Sequence, residues 1–181
     1  DPLDMNDTWF HLPEDKANRL VLLQTKSGKG EWIPCPVRND DWDYPIKGAK
    51  RLVSGGGGLC STAKDYATFL QMYLNGGELN GLRILSRTTV EYIMTNQIGD
   101  LWGENAGWYY GLVFAGTNQN GQDKWGMMSA GTFSGQGGFN SQYFADPKEG
   151  IIGILMKQTL FVDTDKTHGK FLILIRHAID D

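Results

Sequence analysis

Residues 54–79 read SGGGGLCSTAKDYATFLQMYLNGGEL, and this stretch decides much of the fold. Its apolar side chains recur at the i, i+3, i+4, i+7 spacing of a helix that buries one face, namely Ala63, Tyr66, Ala67, Leu70, Tyr73 and Leu74. Thr62, or equally Ser61, is a good N-cap residue, and Asn75-Gly76-Gly77 favours a left-handed C-terminal cap. We therefore predict an amphipathic helix over residues 62–75.

Ser61 and Lys64 have the Ser-x-x-Lys spacing of a serine nucleophile and its lysine base. Such a lysine must be desolvated, because only a lowered pKa leaves a neutral amine that can take the serine proton. Lys64 instead falls on the polar stripe of the helix with positions 68, 71 and 75. We interpret the motif as a helix start, with Thr62 and Asp65 in the capping pattern, and exposure of Lys64 would rule out an autonomous enzyme built on Ser61.

Tyr73 and Asn75 form a second pattern, Tyr-x-Asn, which the apolar stripe and the helix stop explain. A helix rises about 1.5 Å per residue, so this pattern lies about 16 Å from Ser61 and Lys64 on the same helix. The two patterns cannot build one site. Gly55 to Gly58 lack the Gly-Lys-Ser/Thr ending of a phosphate-binding loop, which leaves close backbone packing as the better interpretation.

The rest of the chain divides at about residue 106. Residues 1–106 are loop-rich and helical, with a short helix at about 13–19, strands at 20–25 and 32–37, a polar loop at 39–48 and a second helix from Ser86 to Asn96. Residues 107–181 predict an antiparallel meander with strands at 108–115, 124–130, 142–145 and 151–156, then a C-terminal helix whose stripe is Phe171, Leu174, Ile175, Ala178 and Ile179. The predicted class is α+β, one partial domain over residues 1–181.

Composition excludes several functions. The 181 residues are 40% hydrophobic and 21% charged with a formal net charge of -4, so neither a nucleic-acid footprint nor a basic membrane surface is expected. No apolar run approaches the roughly 20 residues of a membrane span. Cys35 and Cys60 lie far apart, which favours two free thiols, and the three histidines lack metal-site spacing. The N-terminus has no signal-peptide character and no Met, which suggests a piece of a longer chain.

Three stretches carry a family resemblance: residues 54–79, ILSRTTV at 84–90 and DPKEGIIGILM at 146–156. The first two resemble the middle of the serine β-lactamase-related family, and the third resembles the hairpin and last sheet strand of the same family. That family groups class C β-lactamases, family VIII esterases and D-alanyl-D-alanine carboxypeptidases. The resemblance implies the C-terminal portion of a β-lactamase and penicillin-binding-protein-like fold, an antiparallel sheet flanked by helices, with the catalytic Ser-x-x-Lys and Tyr-x-Asn upstream of Asp1.

The same resemblance implies a site at Gln136, Gly137, Gly138 and Phe139, where the family carries its third motif. The backbone N–H of Phe139 would be one oxyanion-hole donor, and glycines at 137 and 138 would let a substrate approach. Gln136 departs from the Lys, His or Trp of the family, and a neutral amide cannot attract a substrate carboxylate as a cation does. Esters, or a lost activity, fit better than penicillins or D-Ala-D-Ala peptides.

The leading hypothesis is therefore the C-terminal segment of a serine acyl hydrolase that acts through an acyl-enzyme, inactive on its own. The complete enzyme would take a small ester, β-lactam or D-Ala peptide without any metal or organic cofactor. The alternative is a non-catalytic binding or scaffold module of the same fold. Either way we expect an unpaired sheet edge and an apolar face, covered by a missing N-terminal segment, a partner chain or a second copy. The family slightly favours a periplasmic or extracellular location.

Overall fold

The computed structural model describes residues 2–36, 44–48, 51, 53–103, 105–125, 128–160, 162 and 166–179, with the side chain of Trp125 excepted. The first half contains a 3₁₀ helix (Glu14–Arg19), β1 (Gln24–Lys26), β2 (Trp32–Pro34), α1 (Tyr44–Lys47), α2 (Ala63–Leu74), β3 (Glu78–Leu79), β4 (Leu82–Arg83) and α3 (Arg87–Met94). The second half contains β5 (Trp108–Tyr110), β6 (Ala115–Thr117), α4 (Gln119–Trp125), β7 (Phe133–Gln136), β8 (Gln142–Asp146), β9 (Ile151–Leu155) and α5 (Thr167–His177).

The predicted α+β architecture is confirmed. Strands β5 to β9 pair in chain order as an antiparallel sheet, and β1–β2 and β3–β4 form two small hairpins. Phe133 pairs with Ala145, and Ala145 with Ile152, so these three side chains share one face of the sheet. That face carries the core beneath α2, whereas Phe144 on the opposite face meets Phe171 of α5.

The core forms where the apolar stripe of α2 meets the sheet. Leu70 and Ala145 have no exposed surface, and Phe133 is 5% exposed. The rings of Tyr73 and Phe114, and those of Phe114 and Phe133, lie 5.0 Å apart at their centroids. Tilted and edge-on aromatic pairs at this separation add to the burial of apolar area.

Both ends of α2 are capped as predicted. The hydroxyl of Thr62 accepts a hydrogen bond from the N–H of Asp65 at 3.2 Å. At the other end the N–H of Gly77 donates to Met72, and Gly77 has a φ of 94° that suits glycine. Helix α3 begins after the N-cap Ser86, as its sequence indicated.

Two predictions in the sheet region were wrong. Residues 108–115 are not one strand, because the N–H of Gly111 bonds Phe114 and closes a turn between β5 and β6. The strand predicted at 124–130 is absent from the described part of this stretch, because residues 124 and 125 end helix α4 and residues 128–130 belong to no strand. The side chain of Asn118 caps the N-terminus of α4 by accepting a hydrogen bond from the N–H of Gly121 at 3.0 Å. This helix is short and polar, so apolar periodicity could not reveal it.

Other boundaries also changed. Strand β1 begins only at Gln24, and the predicted loop at 39–48 lies outside the described residues up to 43 and is helical from Tyr44. The C-terminal helix is confirmed, but Leu174, placed on its buried stripe, is 69% exposed. No helix among the described residues has the length and apolar content to cross a membrane.

Candidate active site

The predicted site residues lie on the β7–β8 hairpin. Strand β7 ends at Gln136, and a three-residue loop from Gly138 to Asn140 follows, closed by bonds from Gly137 N–H to Ser141 and from Asn140 N–H to Gly137. Asn140 has a φ of 67°, the left-handed conformation that completes this type of hairpin loop. Gln136, Gly137, Gly138 and Phe139 are all exposed, so the hairpin presents them to solvent.

The backbone of Gln136 faces an open strand edge. Gly137 exchanges a hydrogen bond with Ser141, so in an antiparallel ladder the neighbouring pair of Gln136 and Gln142 is not hydrogen-bonded. The N–H and C=O of Gln136 therefore point away from β8. On that side β6 pairs with β7 only as far as Ser134, which leaves the edge beside Gln136 open among the described residues.

The loop tip supplies another free donor. The N–H of Phe139 donates to no backbone carbonyl in the described part of the chain, while its C=O accepts from Thr159 at 3.1 Å. The side-chain amide of Asn140 also bonds Thr159, and donates to its carbonyl at 3.2 Å and to its hydroxyl at 3.0 Å. The loop tip is thus held by the carbonyl of Phe139 and the side chain of Asn140, and the N–H of Phe139 stays available.

This support reaches the β1–β2 hairpin. Gln24 donates to the carbonyl of Gln158 at 2.9 Å and accepts from Leu160 at 3.0 Å, which joins β1 to the segment that holds the loop. Sequence reasoning missed the arrangement, because residues 24 and 159 are joined only by the fold and no local pattern marks them.

The two glycines of the loop differ in what surrounds them. A Cβ at Gly138 would meet no described atom within 4 Å, and one at Gly137 would meet Ser141 at 3.9 Å, an ordinary contact. No described neighbour requires glycine at either position. The space beside them is therefore free for a group from outside the described chain.

Ser61 and Lys64 do not form a catalytic pair. The hydroxyl of Ser61 lies 2.8 Å from that of Thr8, Thr62 caps the helix, and the side chain of Lys64 is exposed. Among the described residues Lys64 makes no hydrogen bond to Ser61, and its side chain remains solvated. The prediction that this motif is a helix start is confirmed, although Asp65 bonds Asp7 and Thr8 rather than completing a reciprocal capping box.

The Tyr73-x-Asn75 pattern is structural as well. Tyr73 is 8% exposed in the core, where burial and the nearby Tyr143 raise the pKa of its hydroxyl. Asn75 is the C-cap of α2 and accepts from the side chain of Gln71 at 2.9 Å. Neither side chain faces Gln136 across a shared site.

A cavity of about 490 Å³ opens beside Gln136, between α5 and the strands. Its wall combines aromatic and aliphatic side chains with hydroxyl, amide and cationic groups, and it includes Trp108, Tyr110, Phe144, Gln136, His168 and Arg176. This volume lies within the range of small-molecule sites, roughly 300–1,000 Å³. Among the described residues no group of three His, Cys, Asp or Glu side chains is placed to hold a metal ion.

Comparison with known proteins identifies the family of this chain. The sequence matches the Beta-lactamase family over residues 1–177. The chain belongs to the beta-lactamase family. Two curated relatives from Mycobacterium tuberculosis, "Uncharacterized protein MT1414" and "Protein Rv1367c", are each 26% identical over 167 residues, which is 87% of this chain and 40% of the relative.

Solved structures show which proteins share the fold of this beta-lactamase family chain. EstCE1, described as a hydrolase with promiscuous acyltransferase activity, matches with a TM-score of 0.72, 20% identity and coverage of 98% of this chain and 47% of that one. Simvastatin synthase (LovD) from Aspergillus terreus matches with a TM-score of 0.73 and 18% identity, and the coverage of both chains is the same. A penicillin-binding protein homologue from Pyrococcus abyssi matches with a TM-score of 0.59 and 19% identity. The match covers 87% of this chain and 31% of that one.

The family and fold predicted from residues 54–79 and 146–156 are therefore confirmed. The chain spans less than half the length of these relatives, 40% of the curated proteins and 47% of the esterase. The roles assigned to Gln136, Gly137, Gly138 and Phe139 stay predictions. All four residues are exposed, but the N–H of Gly137 is used within the hairpin by its bond to Ser141.

Proposed function

We propose that this chain is the C-terminal, sheet-bearing part of a serine acyl hydrolase, whose nucleophilic Ser-x-x-Lys and Tyr-x-Asn motifs lie on polypeptide outside these residues. One observation carries the proposal: the single Ser-x-x-Lys of the sequence is a helix start with an exposed lysine, while an exposed hairpin with free backbone donors stands beside a cavity. A lysine in water is an ammonium ion near neutral pH and cannot act as a base.

In this proposal the chain supplies the wall against which the acyl group reacts. A serine from the other segment attacks the substrate carbonyl, and the N–H of Phe139, or that of Gln136 on the open edge, stabilises the developing oxyanion. Donors fixed before the reaction stabilise this charge most, and Asn140 and Thr159 fix the loop in advance. The tetrahedral intermediate then collapses and expels the alcohol, which takes up the proton lost by the serine, and the acyl group stays on the serine. Water hydrolyses this acyl-enzyme, which releases the acid and restores the serine.

The substrate is proposed to be a small ester in preference to a β-lactam or D-Ala peptide. Gln136 offers an amide where a lysine would attract a carboxylate, so a carboxylate beside the reacting carbonyl gains little here. The segment that carries the nucleophile is proposed as an upstream part of the same polypeptide or a partner chain. A non-catalytic module of the same fold is the alternative.

Turnover measurements on two preparations test the proposal. The 181-residue chain should hydrolyse neither nitrocefin nor p-nitrophenyl esters, and Ser61→Ala should change nothing. The longer polypeptide, expressed from the parent reading frame, should hydrolyse the ester and lose this activity when the serine of its upstream Ser-x-x-Lys is replaced by alanine.

Two results would overturn the proposal. If the isolated chain hydrolyses a substrate and Ser61→Ala abolishes this activity, Ser61 is the nucleophile. A parent reading frame without an upstream Ser-x-x-Lys, and without a co-purifying chain that carries one, would favour the non-catalytic module.

A further inference from the structure

The tip of the β7–β8 hairpin is a type I turn. The N–H of Asn140 bonds the carbonyl of Gly137 at 3.0 Å, so residues 137–140 form a hydrogen-bonded β-turn. Turn types II, I′ and II′ need a positive φ at Gly138 or Phe139, and neither residue has one. Asn140 follows with a φ of 67°, as expected where a type I turn closes a three-residue hairpin loop.

The N–H of Phe139 belongs to the central peptide of this turn, between Gly138 and Phe139. Rotation of this peptide alone would convert the type I turn into a type II turn and reverse the direction of the N–H. A type II turn requires a positive φ at Phe139, which is costly for a bulky residue with a Cβ. The N–H can therefore change direction readily only if the loop moves as a whole.

Thr159 opposes movement of the loop. Its N–H donates to the carbonyl of Phe139 at 3.1 Å, and its carbonyl and hydroxyl accept from the side-chain amide of Asn140. A carbonyl can only accept, so the NH2 group of Asn140 must be the part that faces Thr159. Thr159 is only 9% exposed, which shields these bonds from competing water. The loop is thus tied to a buried residue by both its backbone and a side chain.

Position 140 makes two demands that asparagine meets together. The left-handed φ of 67° is adopted routinely by Gly and occasionally by Asn and Asp. The two bonds to Thr159 require a side chain with an NH2 group. Glycine meets only the first demand. Aspartate tolerates the conformation, but its carboxylate can only accept and would face two oxygen atoms of Thr159.

We propose that Asn140 is a positioning residue, which through Thr159 holds the Gly138–Phe139 peptide in one orientation and so keeps the N–H of Phe139 ready as an oxyanion donor. The use of this N–H for an oxyanion rests on the proposed function, whereas the hold on the peptide rests on the hydrogen bonds alone. A donor fixed before the reaction stabilises the developing charge without reorganisation. Loss of Asn140 should therefore slow the chemical step and leave substrate binding unchanged.

Backbone dynamics of the 181-residue chain test the hold on the peptide. The ¹⁵N order parameter of Phe139 measures how far its N–H reorients, and wild type should give about 0.85, the value of rigid backbone. In Asn140→Gly, which keeps the left-handed conformation but lacks the amide, it should fall below about 0.6. Asn140→Asp, which keeps the size of the side chain but donates no hydrogen bond, should give the same result. Circular dichroism and the unfolding temperature check that both variants fold.

Ester turnover by the longer polypeptide tests the role in the reaction. With p-nitrophenyl acetate, Asn140→Gly should lower kcat about tenfold or more and leave KM unchanged, because a misplaced donor affects only the transition state. Thr159→Val removes one of the two acceptors and keeps the backbone, so it should lower kcat by a smaller factor. Asn80→Gly is the matched control, since Asn80 has a φ of 51° in the turn of the separate β3–β4 hairpin. It should change neither kcat nor the order parameter of Phe139.

The two measurements separate this inference from the proposed function. An unchanged order parameter of Phe139 in folded Asn140→Gly would overturn the hold on the peptide. An unchanged kcat in that variant, or an equal loss in Asn80→Gly, would overturn the role in the reaction. A longer polypeptide that hydrolyses no ester would remove the proposed function and the oxyanion with it, while a mobile Phe139 N–H in Asn140→Gly would still support Asn140 as the residue that positions this peptide.

Discussion

Asp65 shows how one side chain joins distant parts of this chain. It is 7% exposed, and one of its oxygens accepts from the N–H of Asp7 at 2.8 Å and from the hydroxyl of Thr8 at 2.9 Å. The carboxylate at the start of α2 also lies where the helix dipole favours a negative charge. The N-terminal segment is therefore held against the helix by a buried acceptor.

Asp65→Ala should lower the free energy of unfolding by about 1–3 kcal/mol, because two donors lose a partly buried partner. Urea unfolding measures the change. Asp123→Ala is the matched control, since Asp123 is exposed and bonds only Gln119 among the described residues. An equal loss in both variants would contradict the role of Asp65.

The carboxyl of Asp7 should make part of the free energy of unfolding depend on pH. The guanidinium of Arg19, and after it the ammonium of Lys16, hold the pKa of the Asp7 carboxyl well below its ordinary value. A carboxyl with a lowered pKa stabilises the fold above its unfolded pKa of about 4, and this stabilisation is lost as the pH falls from there through the folded pKa. Wild type and Asp7→Asn should therefore differ near neutral pH and converge in acid. A difference that is independent of pH in unfolding titrations would argue against the ion pairs.

Two glycines at the ends of helices and strands, Gly77 and Gly138, differ in whether the fold itself requires glycine. Gly77, at the end of α2, has a φ of 94°, and a Cβ there would collide with the carbonyl of Leu85. Gly77→Ala should lower the unfolding free energy by more than about 1 kcal/mol, since strain in the left-handed region adds to the collision.

Gly138→Ala is expected to leave unfolding unchanged, because the space around position 138 is open. In the longer polypeptide the same change should reduce ester turnover if a substrate or the nucleophile-bearing segment approaches the loop there. Normal turnover with normal stability would remove Gly138 from the proposed wall.

Helices with an apolar stripe and a capping residue could be predicted from the sequence, as α2 and α3 show with Thr62 and Ser86. Helix α4 could not, because it is mostly polar and carries no apolar stripe, and its one signal, the N-cap Asn118, resembles a turn residue. The family resemblance predicted a site at Gln136 to Phe139, whereas the hairpin that carries these residues became visible only in the structure. Its anchorage through Thr159 to Gln24 depends on residues that only the folded chain brings together.

At the scale of the whole molecule, the sheet ends in β5 on one side and in the longer β9 on the other, and β9 is an edge strand of five uncharged residues. Strand β9 pairs with β8 on one side and with no described strand on the other, although it consists of Ile, Gly and Leu without a Pro or a charge. Natural edge strands usually carry such protective features. Helices α2 and α5 cover its faces but leave its outer backbone groups unpaired within the described residues.

The amide hydrogen-exchange rates of β9 and β8 should therefore differ. In the isolated chain every amide of β8 is shielded by β7 and β9, whereas alternate amides of β9 should exchange much faster because they face no described partner. In the longer polypeptide these β9 amides should gain protection, since the proposed function requires the other segment to pack against this chain. Equal protection of β9 in both preparations would mean that no part of the longer polypeptide covers this edge of the sheet.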